Sequence, residues 1–297
     1  MRVRIPVRRL VRGSFRLLGR ISTTLSAVWA EALLRTPPRY PKSRTDVALL
    51  SRARHERATY GKRRLAVWRW GTGGPTVLLV HGWGGHAARL SHFVEPLVQA
   101  GFSVLSFDAP AHGDSDGFCA QIPEFADAIG ALDHLYGPFY GVVAHSLGAM
   151  SCVLALRRGM PLPRAVFLAP AADPERYSRR FARFFGIPPG VQESMETRFQ
   201  ARYRLRWQDL RAASWVASCA TRLLVFHDRR DVCVPISDGA AIVKAWRGAR
   251  LVPTGGLGHH GILRDPSVIR RSVAFLEAGC SPLHRESVLE SVEQVAS

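Results

Sequence analysis

The five residues Ala144-His145-Ser146-Leu147-Gly148 follow an apolar run, Phe139–Ala144, and precede a helical pattern that starts at Leu147. A strand, a serine and a helix in that order make a nucleophile elbow, whose sharp turn needs small residues two places before and two places after the serine. Gly148 fills the second of these places, and Ala144 stands in the first, where glycine is usual. A serine hydroxyl is a weak nucleophile until an imidazole takes its proton and a carboxylate orients that imidazole. Two backbone amides must also face the oxyanion that forms on the attacked carbon.

Partners for Ser146 should lie beyond the carboxyl ends of other strands, where open α/β sheets bind their ligands. Four stretches qualify. They are His81-Gly82-Trp83-Gly84-Gly85, Asp108-Ala109-Pro110-Ala111-His112-Gly113, the run from His227 to Pro235 that contains Asp228 and Asp231, and Thr254 to His260 with its His259-His260 doublet.

The elements that would position these residues begin near residue 65. Short apolar runs at Leu65–Trp70, Thr76–Val80, Ser103–Phe107, Phe139–Ala144, Ala165–Leu168, Arg222–Phe226 and Arg250–Val252 alternate with amphipathic segments near 87–100, 122–135, 147–158, 237–247 and 266–277. Runs of this length without strict alternation are expected of parallel strands buried on both faces, with the helices as crossovers. The fold class expected is α/β, a doubly wound and mostly parallel sheet. Some fifty residues separate Leu168 from Leu223, far more than a crossover needs, so a helical insert is expected at about 174–215. Phe181, Phe184, Phe185, Tyr203, Trp207 and Trp215 punctuate its arginines and suggest an apolar acyl or aryl pocket. The domain plan is a basic N-terminal helix and arm over 1–64, a catalytic domain over 65–280 and a C-terminal tail over 281–297.

In its motifs and their order the sequence resembles the α/β-hydrolase fold family, in its esterase, lipase and C–C hydrolase branch with a helical cap. The resemblance covers roughly residues 65–280 and rests on His81–Gly85, Asp108–Ser115, Ala144–Gly148, Asp231–Pro235 and Gly256–His259. It implies the chain order nucleophile, acid, histidine. Ser146 would be the nucleophile. Asp231, shortly before Val234-Pro235, would be the acid, with Asp228 the alternative; His259, after Gly-Leu-Gly, would be the base, with His260 the alternative. The resemblance also places the oxyanion hole at the N–H groups of Leu147 and Trp83. It assigns the turn carrying Asp108, His112, Asp114 and Ser115 to loop shaping, and His81 and His145 read as loop-packing residues. Aspartate at 146 would point to dehalogenation and cysteine to dienelactone-type hydrolysis, whereas serine points to acyl transfer to water. The expected activity is hydrolysis of a carboxylic ester or related small acyl compound through an acyl-enzyme, with no metal and no cofactor. Acyl transfer to another acceptor, C–C cleavage by the same triad, and a catalytically silent binding role stay open at this point.

Charge bears on partners. Of the net +18, residues 1–64 contribute fourteen, from 17 Lys/Arg against three acidic residues, and 174–215 contribute five, from nine against four; the remainder is one charge from neutral. The motif-bearing segment therefore has no polyanion-binding character, and nucleic acid is not an expected partner. The five cysteines have no metal-ligand spacing and read as reduced thiols of a cytoplasmic protein. Seven arginines in the first 20 positions break up any signal peptide, and no run of about 18 apolar residues occurs. On a helical wheel Val3, Val7, Leu10, Val11, Leu17, Leu18, Ile21, Leu25 and Val28 share one face and the arginines occupy the other. This basic amphipathic helix should dock on the hydrolase body. Peripheral contact of residues 1–34 with the inner face of a membrane is the competing reading. Pro37, Pro38 and Pro41 make a stiff connection that favours docking.

Overall fold

The computed structural model describes residues 5–280, so the expected tail over 281–297 and Val3 lie outside the described residues. The chain divides into two compact units: residues up to 37 with 173–211, and residues 38–172 with 212 onward. Its strands are β1 (Arg54–Tyr60), β2 (Arg63–Trp70), β3 (Thr76–Val80), β4 (Ser103–Phe107), β5 (Gly141–His145), β6 (Arg164–Leu168), β7 (Arg222–Asp228) and β8 (Arg250–Thr254). The helices, in chain order, are α1 (Ile5–Ile21), α2 (Thr23–Arg35), α3 (Arg44–Leu50), α4 (Val94–Gln99), α5 (Ile122–Tyr136), α6 (Leu147–Arg157), α7 (Pro174–Phe185), α8 (Pro189–Tyr203), α9 (Ile236–Ala245), α10 (Gly258–Gly261) and α11 (Pro266–Glu277).

The larger unit is built on one eight-stranded sheet in the order β1-β2-β4-β3-β5-β6-β7-β8. The six strands from β4 to β8 run parallel, and β2 is antiparallel to both β1 and β4. Central strands such as β5 (GVVAH) and β6 (RAVFL) are buried at every position, as a sheet covered on both faces requires. One face packs Val77, Leu79, Val143, Val166 and Phe226 against Phe93 and Leu97, and against Val268, Val273 and Leu276 of α11. The edge strand β8 is only half-buried and so tolerates Pro253, which cannot donate to a ladder.

The sheet starts at Arg54, ahead of the boundary expected at 65, so residues 38–64 group with it and not with the N-terminal helices. β1 reads RHERATY and buries only Ala58, so it carries no apolar run, and its charges blunt an exposed sheet edge. A two-residue turn at Gly61-Lys62, with φ +56° at Gly61, returns the chain into β2.

The smaller unit corrects the domain plan a second time, because α1 and α2 share it with α7 and α8 of the insert. The N-terminal region is two helices, not one. α1 stops at Ile21, and Ser22 caps α2 by accepting a hydrogen bond from the Leu25 amide at 3.2 Å. Phe15, Ala27, Ala30, Ala182, Phe185, Ile187, Val191 and Met195 form its core. Glu31, 2% exposed, is held by Arg198 at 3.2 Å and also by Arg202, which joins α2 to α8. The insert's aromatics serve this packing: Phe181 and Phe184 meet Phe185 edge-on at 5.0 Å, and Trp207 stacks on Phe199 at 4.5 Å. Trp215 falls in the larger unit. Among the described residues no helix is long and apolar enough to cross a membrane.

Candidate active site

Ser146 sits between the end of β5 and the start of α6 at φ +53°, ψ −118°, a conformation that a non-glycine residue adopts only under constraint. The constraint is visible in its surroundings. The Ser146 amide donates to the Leu168 carbonyl at 3.0 Å, anchoring the turn to β6. A Cβ on Gly148 would stand 2.4 Å from the His81 carbonyl oxygen and 2.9 Å from Val80, so the start of α6 can approach β3 only without a side chain there. The turn from Gly82 to Gly85, closed by a 3.0 Å hydrogen bond, lies equally close: a Cβ on Gly82 would meet the Ser146 Cβ at 3.2 Å.

Asp231, at the end of the β7 turn, and His259, in α10, come to Ser146 from the other side. His259 Nδ1 is 2.7 Å from Asp231 Oδ2, and His259 Nε2 is 3.1 Å from Ser146 Oγ. The other carboxylate oxygen of Asp231 accepts from the amides of Cys233 at 2.8 Å and Val234 at 2.9 Å. Burial disfavours ionisation of this carboxyl, but the hydrogen bond and charge of His259, with those two amides, outweigh it and hold the pKa below the usual carboxylate value. An ionised carboxylate can only accept. His259 Nδ1 therefore carries the proton, and Nε2 is left to accept from the serine hydroxyl.

The two alternatives are placed differently. Asp228 spends its carboxylate on structure, accepting from the Arg230 amide, the Leu257 amide and the Thr254 hydroxyl, each at 2.9 Å, and so ties β7 to β8 and to the His259 loop. His260 packs edge-on against the His259 ring at 5.1 Å. Leu147 opens α6, and the first amides of a helix have no partner within it. Trp83 occupies the Gly82–Gly85 turn, with its ring edge-on to His112 at 5.3 Å.

The Asp108 turn is a scaffold. Asp108 accepts from the amides of Ala87 at 2.6 Å and Asp114 at 2.7 Å and pairs with Lys42 at 3.2 Å, while Ser115 receives the Ala66 amide at 2.9 Å. His81 bonds the Gly82 carbonyl at 2.7 Å through Nδ1 and accepts the Ala109 amide at 3.0 Å. Burial pushes the pKa of both His81 and His112 down to about 3, so both are neutral. One residue does more than sequence reasoning gave it: His145 Nε2 lies 3.0 Å from the main-chain oxygen of His259. Its position next to Ser146 was the only available signal, and that could not reveal a partner 114 residues away.

Among the described residues no group of three His, Cys, Asp or Glu side chains is placed to hold a metal ion. The sequence from residue 77 to 281, more than two thirds of the chain, matches the model of the alpha/beta hydrolase family. The chain belongs to that family. No curated protein matches it in sequence. Among solved structures it resembles the esterase Pf2001 of Pyrococcus furiosus, with 20% identity over 82% of this chain and 98% of that one and a TM-score of 0.61. It also resembles Est1E of Butyrivibrio proteoclasticus, solved with ferulic acid, at 18% identity over 82% and 100% of the two chains and a TM-score of 0.58. A serine hydrolase of Cycloclasticus zankles gives 16% identity, 76% and 98% coverage and a TM-score of 0.59. At such identities the likeness is one of fold.

Proposed function

We propose that this alpha/beta hydrolase cleaves a carboxylic ester or related small acyl compound through an acyl-enzyme on Ser146. The observation that carries this reading is the unbroken relay from Ser146 Oγ to His259 at 3.1 Å and from His259 to Asp231 at 2.7 Å. In the first half-reaction Ser146 Oγ attacks the acyl carbon and passes its proton to His259 Nε2. Asp231 stabilises the imidazolium, and the N–H groups of Leu147 and Trp83 serve the oxyanion. His259 returns that proton to the departing alkoxide, releasing the alcohol. In the second half-reaction His259 takes a proton from water as its oxygen attacks the acyl carbon, then gives it back to Ser146 Oγ, releasing the carboxylic acid.

A fluorophosphonate probe should label Ser146, identified by mass spectrometry of the modified peptide, and p-nitrophenyl esters of graded chain length should report the preferred acyl group. Ser146→Ala should abolish both labelling and turnover. A label on another serine, or undiminished turnover by the variant, overturns the assignment.

A further inference from the structure

α1 presents two opposed surfaces. Phe15 is buried in the core of the smaller unit with Val11 packed against it, Leu18 is half-buried, and Arg8 and Arg12 reach back to donate to the Phe184 carbonyl at the end of α7, at 3.1 and 3.2 Å. The opposite surface is exposed and segregated. Arg9, Arg16 and Arg20 form one row, and the residues that follow each of them, Leu10, Leu17 and Ile21, form a second row one residue step, about 100°, around the helix. The apolar row is 75%, 63% and 69% exposed at these three positions, and α2 continues it with Leu25 at 61% and Val28 at 42%. The face that the sequence assigns to docking is thus divided, with Val11 and Leu18 half-buried and Leu10, Leu17, Ile21, Leu25 and Val28 open.

Five large aliphatic side chains in one exposed stripe exceed the scattered apolar residues of an ordinary surface and mark a docking site. The charges beside the stripe select the occupant. None of Arg9, Arg16 and Arg20 has an ion-pair partner among the described residues, and the smaller unit carries 17 arginines against six acidic residues. A second copy of this chain would bring the same positive surface up to itself and be repelled. Nucleic acid would satisfy the arginines but leave the aliphatic row unmatched. A bilayer with anionic headgroups meets both rows, taking the aliphatic side chains below the headgroups and neutralising the arginines at headgroup level.

We infer that α1 and the start of α2 dock this chain flat on an anionic lipid surface, through Leu10, Leu17, Ile21, Leu25 and Val28 flanked by Arg9, Arg16 and Arg20. The test is sedimentation of the full chain with phosphatidylcholine vesicles, with and without phosphatidylglycerol, at low and at high salt. It reads binding whether or not the chain hydrolyses an ester. The expected result is binding to the anionic vesicles that added salt weakens. The variant with Arg9→Gln, Arg16→Gln and Arg20→Gln should bind about a hundredfold more weakly, and the one with Leu10→Ser, Leu17→Ser and Ile21→Ser at least about tenfold more weakly. Both should keep the melting temperature and the soluble-ester turnover of the parent chain, since all six side chains are exposed. No binding to anionic vesicles at low salt overturns the inference, as does full binding by the serine variant. Concentration-dependent dimers that the serine variant dissolves, without vesicle binding, would give the stripe to a second copy instead.

Discussion

His145 Nε2 donates a hydrogen bond of 3.0 Å to the backbone carbonyl of His259, so the residue beside the proposed nucleophile holds the loop that carries the proposed base. The carbonyl can only accept, which fixes His145 as its Nε2–H tautomer. Burial, reinforced by the nearby His259 and His260, keeps the ring well below the usual histidine pKa and therefore neutral. A cationic ring here would face the imidazolium of the proposed mechanism, with ring centroids 4.6 Å apart.

In the proposed mechanism His145 is accordingly a positioning residue. His145→Ala should lower kcat by about 10- to 100-fold with little change in KM, because the base drifts from its serine while substrate binding elsewhere is kept. His145→Gln, which restores an N–H donor, should recover part of the loss. Equal effects of both substitutions on the melting temperature, with kcat unchanged in correctly folded protein, would reduce His145 to packing.

Asp231→Asn should leave the fold intact and reduce kcat by about 10⁴-fold, since a neutral amide no longer enforces the Nδ1–H tautomer of His259. Asp228→Asn should show itself mainly as a lower melting temperature, since its carboxylate accepts three hydrogen bonds between β7, β8 and the loop. Steady-state kinetics beside thermal melts distinguish the two, and the reverse ranking would move the acid to Asp228.

Gly148→Ala places a methyl group 2.4 Å from the His81 carbonyl oxygen. Backbone must shift to admit it, at a cost of about 1–3 kcal/mol, and turnover should fall with stability because the same shift displaces Ser146. A stable, fully active variant would show that the junction of α6 and β3 has slack.

Acid should unfold the protein early. Burial lowers the pKa of His81, His86, His112, His145, His227 and His260, so below about pH 6.5 the unfolded chain takes up protons that the folded chain refuses. The sign is that of a depressed folded pKa: stability rises with pH through this window and is fully present above the unfolded histidine value. With His81 and His112 alone the slope below that value approaches about 2.7 kcal/mol per pH unit. Urea unfolding between pH 7.5 and 5 measures it, and a flat profile would mean that these rings take up protons in the folded state.

The sequence made the central parallel strands legible because each is an uninterrupted apolar run, and it made Ser146 legible because a strand, a serine and a helix leave few other readings. β1 escaped because an edge strand written RHERATY has no periodic apolar signal. The resemblance favoured Asp231 but left Asp228 open, since both lie at the carboxyl end of β7 and only hydrogen bonding distinguishes their duties. The N-terminal helices were legible only in part, for a different reason. Their stripe was legible, but whether protein covers an apolar residue is a tertiary fact, and the break at Ser22 altered which residues turn inward.

The pairing of Glu31 with Arg198, 167 positions later, has a consequence for how the chain is made. α1 and α2 precede their partners in the chain, and the partners of Phe15 and Glu31 in α7 and α8 are translated after most of the sheet unit. At synthesis rates of about 5–20 residues per second, the two helices wait on the order of ten seconds or more with their inner surface uncovered. Biogenesis therefore depends on keeping that nascent surface from associating elsewhere, and a ribosome stalled before α8 would display an arginine-rich amphipathic hook with nothing to close against.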